Sequence, residues 1–295
     1  MEFGLGYAIV AALVWGVYIF LLKRLFDGYP PAALTILINL AAIAWYFPVV
    51  ATGEGGVGAA AGAFGAFELA EAAITAVTVL ATAGAFVLFL TAIADGEVSY
   101  VTPINKVVPM FVLPLEVLLL GQVLAPIQVV GVVVATLAVY VANYEPGGFL
   151  EPFRKAANSR PAQLALVSAM LYAVSDVGKR VALQELAIPE RLWVPLLLAG
   201  VALVLLPSAV HNRPDATRVR ADLSKFALAG ALVATGEHVT TLAFALLPAS
   251  IASPVINVQA VVAVILGGLL LGERYFRVRV VAAVLAVVGV TLIAM

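Results

Sequence analysis

The sequence of 295 residues contains no cysteine. That absence removes disulfides, thiolate zinc sites, iron–sulfur clusters and thiol nucleophiles together. Histidine is nearly missing as well: His211 and His238 are the only two, which leaves no ligand set for a His-based metal site. Charged residues make up only 11% of the chain and the formal net charge is −1, so there is no basic surface to displace counterions from phosphates and no nucleic-acid partner is expected. No HExxH, no GxSxG, no paired-carboxylate motif and no glycine-rich phosphate loop occurs. The connecting loops are too short for a catalytic domain. The expectation is therefore a protein that is not an enzyme, with no cofactor and no metal. The N-terminus MEFGLGYAIVAALVWGVYIFLLKR lacks the basic n-region and small-residue cleavage site of a signal peptide and reads as a retained first helix.

What the chain has instead is apolar surface. It is 64% hydrophobic with a mean hydropathy of +1.11, outside the range of soluble domains. A helix needs roughly 20 apolar residues to cross the ~30 Å hydrocarbon layer. Ten such segments are expected, near 4–22, 32–51, 70–93, 98–120, 125–144, 162–182, 191–210, 225–247, 250–271 and 276–294. They are punctuated by GYPP, NYEPGG, NSRP, HNRPD and GER. The fold class is thus all-α integral membrane, with membrane lipids as its surroundings.

An internal repeat divides the chain. A shift of 151 lays VSYVTP at 98–103 on ASIASP at 249–254, and LLLGQ at 118–122 on LLLGE at 269–273, pairing Ser99 with Ser250, Pro103 with Pro254 and Gly121 with Gly272. A shift of 156 pairs Lys23–Arg24 with Lys179–Arg180. The expected units are a first five-helix repeat at 1–144, a linker at 145–161 and a second five-helix repeat at 162–295. Five is odd, so the second copy enters the membrane from the opposite side, the inverted arrangement of secondary transporters with a midplane site between the halves. Side B, which holds the loops after spans 1, 3, 5, 7 and 9, carries most of the basic residues, while side A has Lys179, Arg180 and Arg191. The positive-inside rule then makes side B cytoplasmic and puts both termini outside.

Trp15–Gly16 followed by Lys23, the run LLLGE-Arg at 269–274 and its copy LLLGQ resemble the drug/metabolite transporter superfamily, in its ten-helix form built from two EamA repeats. Gln122 departs from the glutamate usual there, and Leu171–Tyr172 replaces Trp-Gly in the second half. The resemblance implies export or exchange of small polar metabolites such as amino acids by alternating access, in a multi-pass cell-membrane protein, monomeric or homodimeric. It also implies cytosolic termini, against the charge bias. A channel or a lipid flippase on the same bundle is the alternative.

Ionisable groups at bilayer depth cost about 2.5–3.5 kcal/mol each on insertion scales and mark pathways or proton relays. Lys106, roughly 12 Å in from side B, is the first candidate. It reads as a fixed cation for a substrate carboxylate or phosphate, or as a proton-coupling lysine. The structural alternative is an ion-pair partner of Glu237, Asp176 or Asp95, or a snorkelling side chain. The 151 shift places it opposite Asn257. Glu237, roughly 18 Å in, is the candidate proton or cation site, with His238 beside it. Asp176 is either a third proton-coupling group or a local ion-pair partner of Lys179 and Arg180. Asn105, Gln259, Trp15 and Tyr18 complete the substrate-binding candidates, and Asn39, Thr78 and Thr82 read as helix-bridging polar groups. Glu116, about 27 Å along its helix, is expected at side A's interface. Pro103, Pro109 and Pro114 are expected to bend the fourth span.

Overall fold

A computed structural model describes residues 2–53, 56–95, 104–105, 107–142, 159–271 and 276–295. Every described element is helical: α1 Glu2–Leu25, α2 Pro31–Thr52, α3 Gly56–Gly65, α4 Leu69–Asp95, α5 Val108–Leu120, α6 Pro126–Ala142, α7 Arg160–Arg180, α8 Glu190–His211, α9 Ala216–Ala221, α10 Leu223–Leu246, α11 Ala249–Asn257, α12 Gln259–Leu271 and α13 Phe276–Ala294. A π-helical turn, Val181–Glu185, continues α7. Within an apolar medium a helix satisfies its backbone internally, which is why so hydrophobic a chain takes this form throughout. Among the described residues five windows are long and apolar enough to cross a membrane: Glu2–Leu22, Pro31–Thr52, Leu69–Ala92, Glu190–His211 and Leu223–Leu246. Large apolar side chains such as Leu40, Leu80, Leu203 and Val287 point outward, as expected where lipid is the solvent.

Local chemistry sets the ends. Pro31 occupies the first turn of α2, where its missing N–H is no loss. Gly121, at φ 64°, ends α5 in the left-handed region, so the glycine of LLLGQ is the helix terminator.

The helix pairings map onto themselves when the halves are exchanged. α1 packs on α10 as α7 packs on α4, α1 on α12 as α7 on α5, and α2 on α10 as α8 on α4. Two other extensive pairs, α2 with α8 and α6 with α13, join equivalent helices across the halves, and α5 with α11 joins opposite segments of the two interrupted spans. Small residues make the close approaches. A Cβ on Gly131 would lie 2.7 Å from the Ile293 nitrogen and one on Gly289 2.5 Å from the Ala135 nitrogen, so α6 and α13 cross backbone on backbone.

The repeat extends to a fault in the helices. The break between α11 and α12 falls at Val258, whose N–H bonds the Val255 carbonyl three residues back at 3.2 Å; the Val261 N–H then bonds the Val258 carbonyl at 2.9 Å. In the first half Val107 is the turn, with its N–H on the Ile104 carbonyl at 3.3 Å and the Met110 N–H on the Val107 carbonyl at 2.9 Å. Each of these residues lies 151 positions from its counterpart. Lys106 and Pro103 lie outside the described residues, but the residues flanking Lys106, Asn105 and Val107, are both buried.

Candidate functional site

Four helices bring candidate side chains together. Trp15 on α1 donates its indole N–H to Thr240 Oγ1 on α10 at 2.9 Å and lies against Gly236, where a Cβ would come within 2.9 Å of the ring. Tyr18, one turn along α1, meets the Trp15 ring edge-on at 5.4 Å. It stands within electrostatic reach of Glu237 on α10 and Tyr172 on α7. Tyr172 is in turn within reach of Asp176, one turn further along α7. Asp176 Oδ2 accepts the Ser253 hydroxyl of α11 at 2.6 Å. Asn257 donates to the Ser253 carbonyl at 3.0 Å and to its hydroxyl oxygen at 3.3 Å. Direct contacts thus join Thr240, Trp15 and Tyr18 on one side and Asp176, Ser253 and Asn257 on the other, with Glu237 and Tyr172 as electrostatic neighbours of Tyr18 and with Asn257 closing α11 at the break.

Glu237 stands apart in this set. Its Oε2 is buried and accepts no hydrogen bond from the described residues. A buried carboxylate oxygen without a donor is costly, on the order of 1–3 kcal/mol or more, and is retained where its charge or proton is used.

Other candidates turn away. His238, next to Glu237 in sequence, faces outward from the cluster: its Nδ1 is 2.9 Å from the Tyr46 hydroxyl, and Glu190 is its charged neighbour. Adjacent helical residues point about 100° apart, which separates the two. Asn105, 1% exposed, donates to Ser168 Oγ at 2.8 Å, and Ser168 donates to the Ala85 carbonyl at 2.6 Å, an inter-helix brace. Asn39 braces α2 to α8 through the Leu198 carbonyl at 3.1 Å, and Thr82 reaches Ser175 at 2.6 Å. Gln259 opens α12 and is half-buried.

Two expectations need correction. Glu116 stands near the end of α5, but it is not exposed there: it is 0% exposed, sealed where α5, α7 and α11 meet, because lateral packing rather than depth along the helix governs its exposure. Arg180 does not pair with Asp176. It is 3.1 Å from Glu116 Oε1 and 3.6 Å from Glu185 Oε1, while Lys179 lies over the Phe244 ring at 5.7 Å. Both basic residues are buried, at 9% and 8% exposure, so neither belongs to a loop. Ser253 and the Glu116–Arg180 pair escaped sequence reasoning. The only signal for Ser253 is its place beside Pro254 in the repeated ASIASP stretch.

A groove of about 480 Å³ lined by Leu37, Trp45, Val219, Leu223 and Phe226 opens on the outer face between α2, α9 and α10, away from the cluster. Among the described residues no group of acidic, histidine or cysteine side chains is placed to hold a metal.

The model of the EamA-like transporter family matches residues 2–144 and 160–295. The chain belongs to that family. As an EamA-like transporter it is a member of the drug/metabolite transporter superfamily and a membrane transport protein. No curated protein matches the chain. A solved structure described only as the crystal structure of a protein superposes with a TM-score of 0.79 over 99% of this chain and 98% of the other, at 14% identity; at that identity the likeness shows a shared fold.

Proposed function

We propose that this EamA-like protein is a secondary transporter that exports or exchanges small polar metabolites, amino acids among them, by alternating access. Ten spans form two inverted five-helix halves, and the substrate sits at the paired helix breaks. The observation that carries this reading is the repeated interruption, Val107 with Val258, whose hydrogen bonds recur at the repeat offset. Interrupted helices at corresponding positions of two halves expose backbone and polar groups to a cavity at bilayer depth. Asn257 and, by repeat offset, Lys106 then face the substrate, while Trp15 and Tyr18 form an apolar wall. Glu237 takes the coupling proton or cation, with Asp176 next in line.

Burial of Lys179 and Arg180 sharpens the charge bias, since it leaves Arg191, at the start of α8, as side A's remaining cation and favours termini outside. A reporter fused to the C-terminus tests that orientation. The transport reading is tested by reconstitution in liposomes: saturable uptake of an amino acid that responds to an imposed pH gradient is expected. Conductance without saturation would point to a channel, and movement of labelled lipid without amino-acid flux to a flippase.

A further inference from the structure

The enclosed carboxylate of Glu116 is used by nothing in the proposed substrate site, yet it is the most heavily bonded acid described. Oε1 accepts the Ala249 N–H at 2.6 Å, and Oε2 accepts the Ser250 N–H at 2.8 Å and also the Ser250 hydroxyl. Arg180 Nε stands 3.1 Å from Oε1 and 3.2 Å from Gln184 Oε1. Gln184 continues the network by donating to the carbonyls of Phe244 and Leu247, at 2.6 and 2.8 Å, where α10 ends. One acid from the first half thereby caps α11 and joins the ends of α7 and α10, all from the second half, at one end of the bundle.

Three features separate this contact from a static brace. The repeat offsets give the carboxylate no acidic counterpart: the 151 shift carries Glu116 to Gly267, and the 156 shift carries Arg180 to the exposed Arg24. Its saturation is incomplete, because Arg180 Nη1 is buried without an acceptor among the described residues. Arg180 also opens directly into the π-helical turn Val181–Glu185, an uncommon geometry that recurs at functional sites. The helix it caps is the one that carries Ser253 and Asn257.

We propose that Glu116, Arg180 and the start of α11 form an ionic gate that holds this end closed, and that its parting opens the site on that side. The inference rests on alternating access. When the ends of α5, α7 and α11 separate, water reaches both charges and offsets the lost contacts; while they are together, the pair is desolvated and holds α11 in register with Asp176. Replacing Glu116 by glutamine keeps the shape but removes the charge and turns an amide N–H₂ toward groups that are all donors. The closed end loses its contact while the open end, with hydrated side chains, loses little.

The absence of cysteine makes the test direct, since introduced thiols carry the only labels. Spin labels at Val123→Cys and Ala187→Cys, both exposed, report distances across this end, and labels at Asp27→Cys and His211→Cys report the other. In liposomes, Glu116→Gln is expected to raise the ratio of long to short distances for the 123/187 pair by roughly tenfold or more, and to leave the 27/211 pair without lengthening. Ser250→Ala, which keeps both charges, moves the 123/187 pair the same way by less. An unchanged 123/187 distribution in folded Glu116→Gln and Ser250→Ala overturns the gate, and so does equal lengthening of both pairs. If Glu116→Gln does not fold, Ser250→Ala decides alone. These distances are read without substrate, so failure of flux would refute transport and leave the gate result standing, and the reverse holds.

Discussion

Exchange of one hydrogen for a methyl group at Gly289 tests how the two halves are joined. A Cβ at that position would lie 2.5 Å from the Ala135 nitrogen and 2.8 Å from its Cα, and one at Gly131 would lie 2.7 Å from the Ile293 nitrogen and 2.8 Å from the Gly289 carbonyl oxygen. Ordinary contact needs about 3.5 Å, so α6 and α13 must separate by roughly 1 Å at the crossing. The obstructing atoms are backbone and cannot rotate away. Overpacking of this kind costs about 1–3 kcal/mol, which lowers the unfolding midpoint of a chain this size by roughly 2–5 °C. The double variant should lose less than the sum of the two, because one separation relieves both clashes. Gly6→Ala is the control: nothing lies within 4 Å of a Cβ there, and alanine is the better helix former. Thermal unfolding in detergent, followed by helical circular dichroism, reads the four variants and the parent. Equal midpoints for Gly289→Ala, Gly131→Ala and the parent would refute the backbone crossing.

Two further outcomes follow from the loops and the cluster. The Asp222 carboxylate is held below the usual carboxylate range by the Lys225 ammonium at 2.6 Å and by the Tyr29 hydroxyl at 2.7 Å, which tie the α9–α10 turn to the α1–α2 loop. A lowered folded-state pKa contributes stability that is present above the unfolded value, about 3.9, and fades as pH falls through the folded one. Asp222→Asn should therefore be less stable than the parent at neutral pH, with the difference closing below about pH 4, as read from unfolding midpoints across a pH series. Gly236→Ala, whose Cβ would press on Trp15 at 2.9 Å, should displace the indole from Thr240 and raise the half-saturating substrate concentration in a flux assay; Trp15→Phe should do the same if the Thr240 bond is what orients the ring.

Much of the architecture was legible because the membrane simplifies the code: apolar length alone marks helices, and the ten expected segments carry helix in the described residues, five of them in windows long and apolar enough to cross a membrane. The repeat was legible from Ser, Pro and Gly at one offset, since Leu and Val matches carry little information in such a chain. Exposure was not legible. Depth along a helix follows from residue number, but which neighbour a side chain meets does not, and so Glu116, placed at an interface by depth, is instead enclosed by α11 and Arg180. For the same reason Arg180 was assigned to the nearest carboxylate in sequence, Asp176, when the end of α5 is nearer in space. The site candidates divided along similar lines: Trp15, Tyr18, Glu237, Asp176 and Asn257 share one cluster, while Asn105 and His238, equally polar in sequence, are drawn off by Ser168 and Tyr46.

The central claim is that Glu237 is the coupling group of a metabolite transporter. Its most direct measurement is substrate flux into liposomes as a function of imposed pH gradient, for the parent and for Glu237→Gln. The parent should concentrate substrate when a gradient is applied. The glutamine variant should fold with the same helicity and lose the response to the gradient, whether or not it still equilibrates substrate. A Glu237→Gln protein whose gradient-driven uptake equals that of the parent would contradict the account.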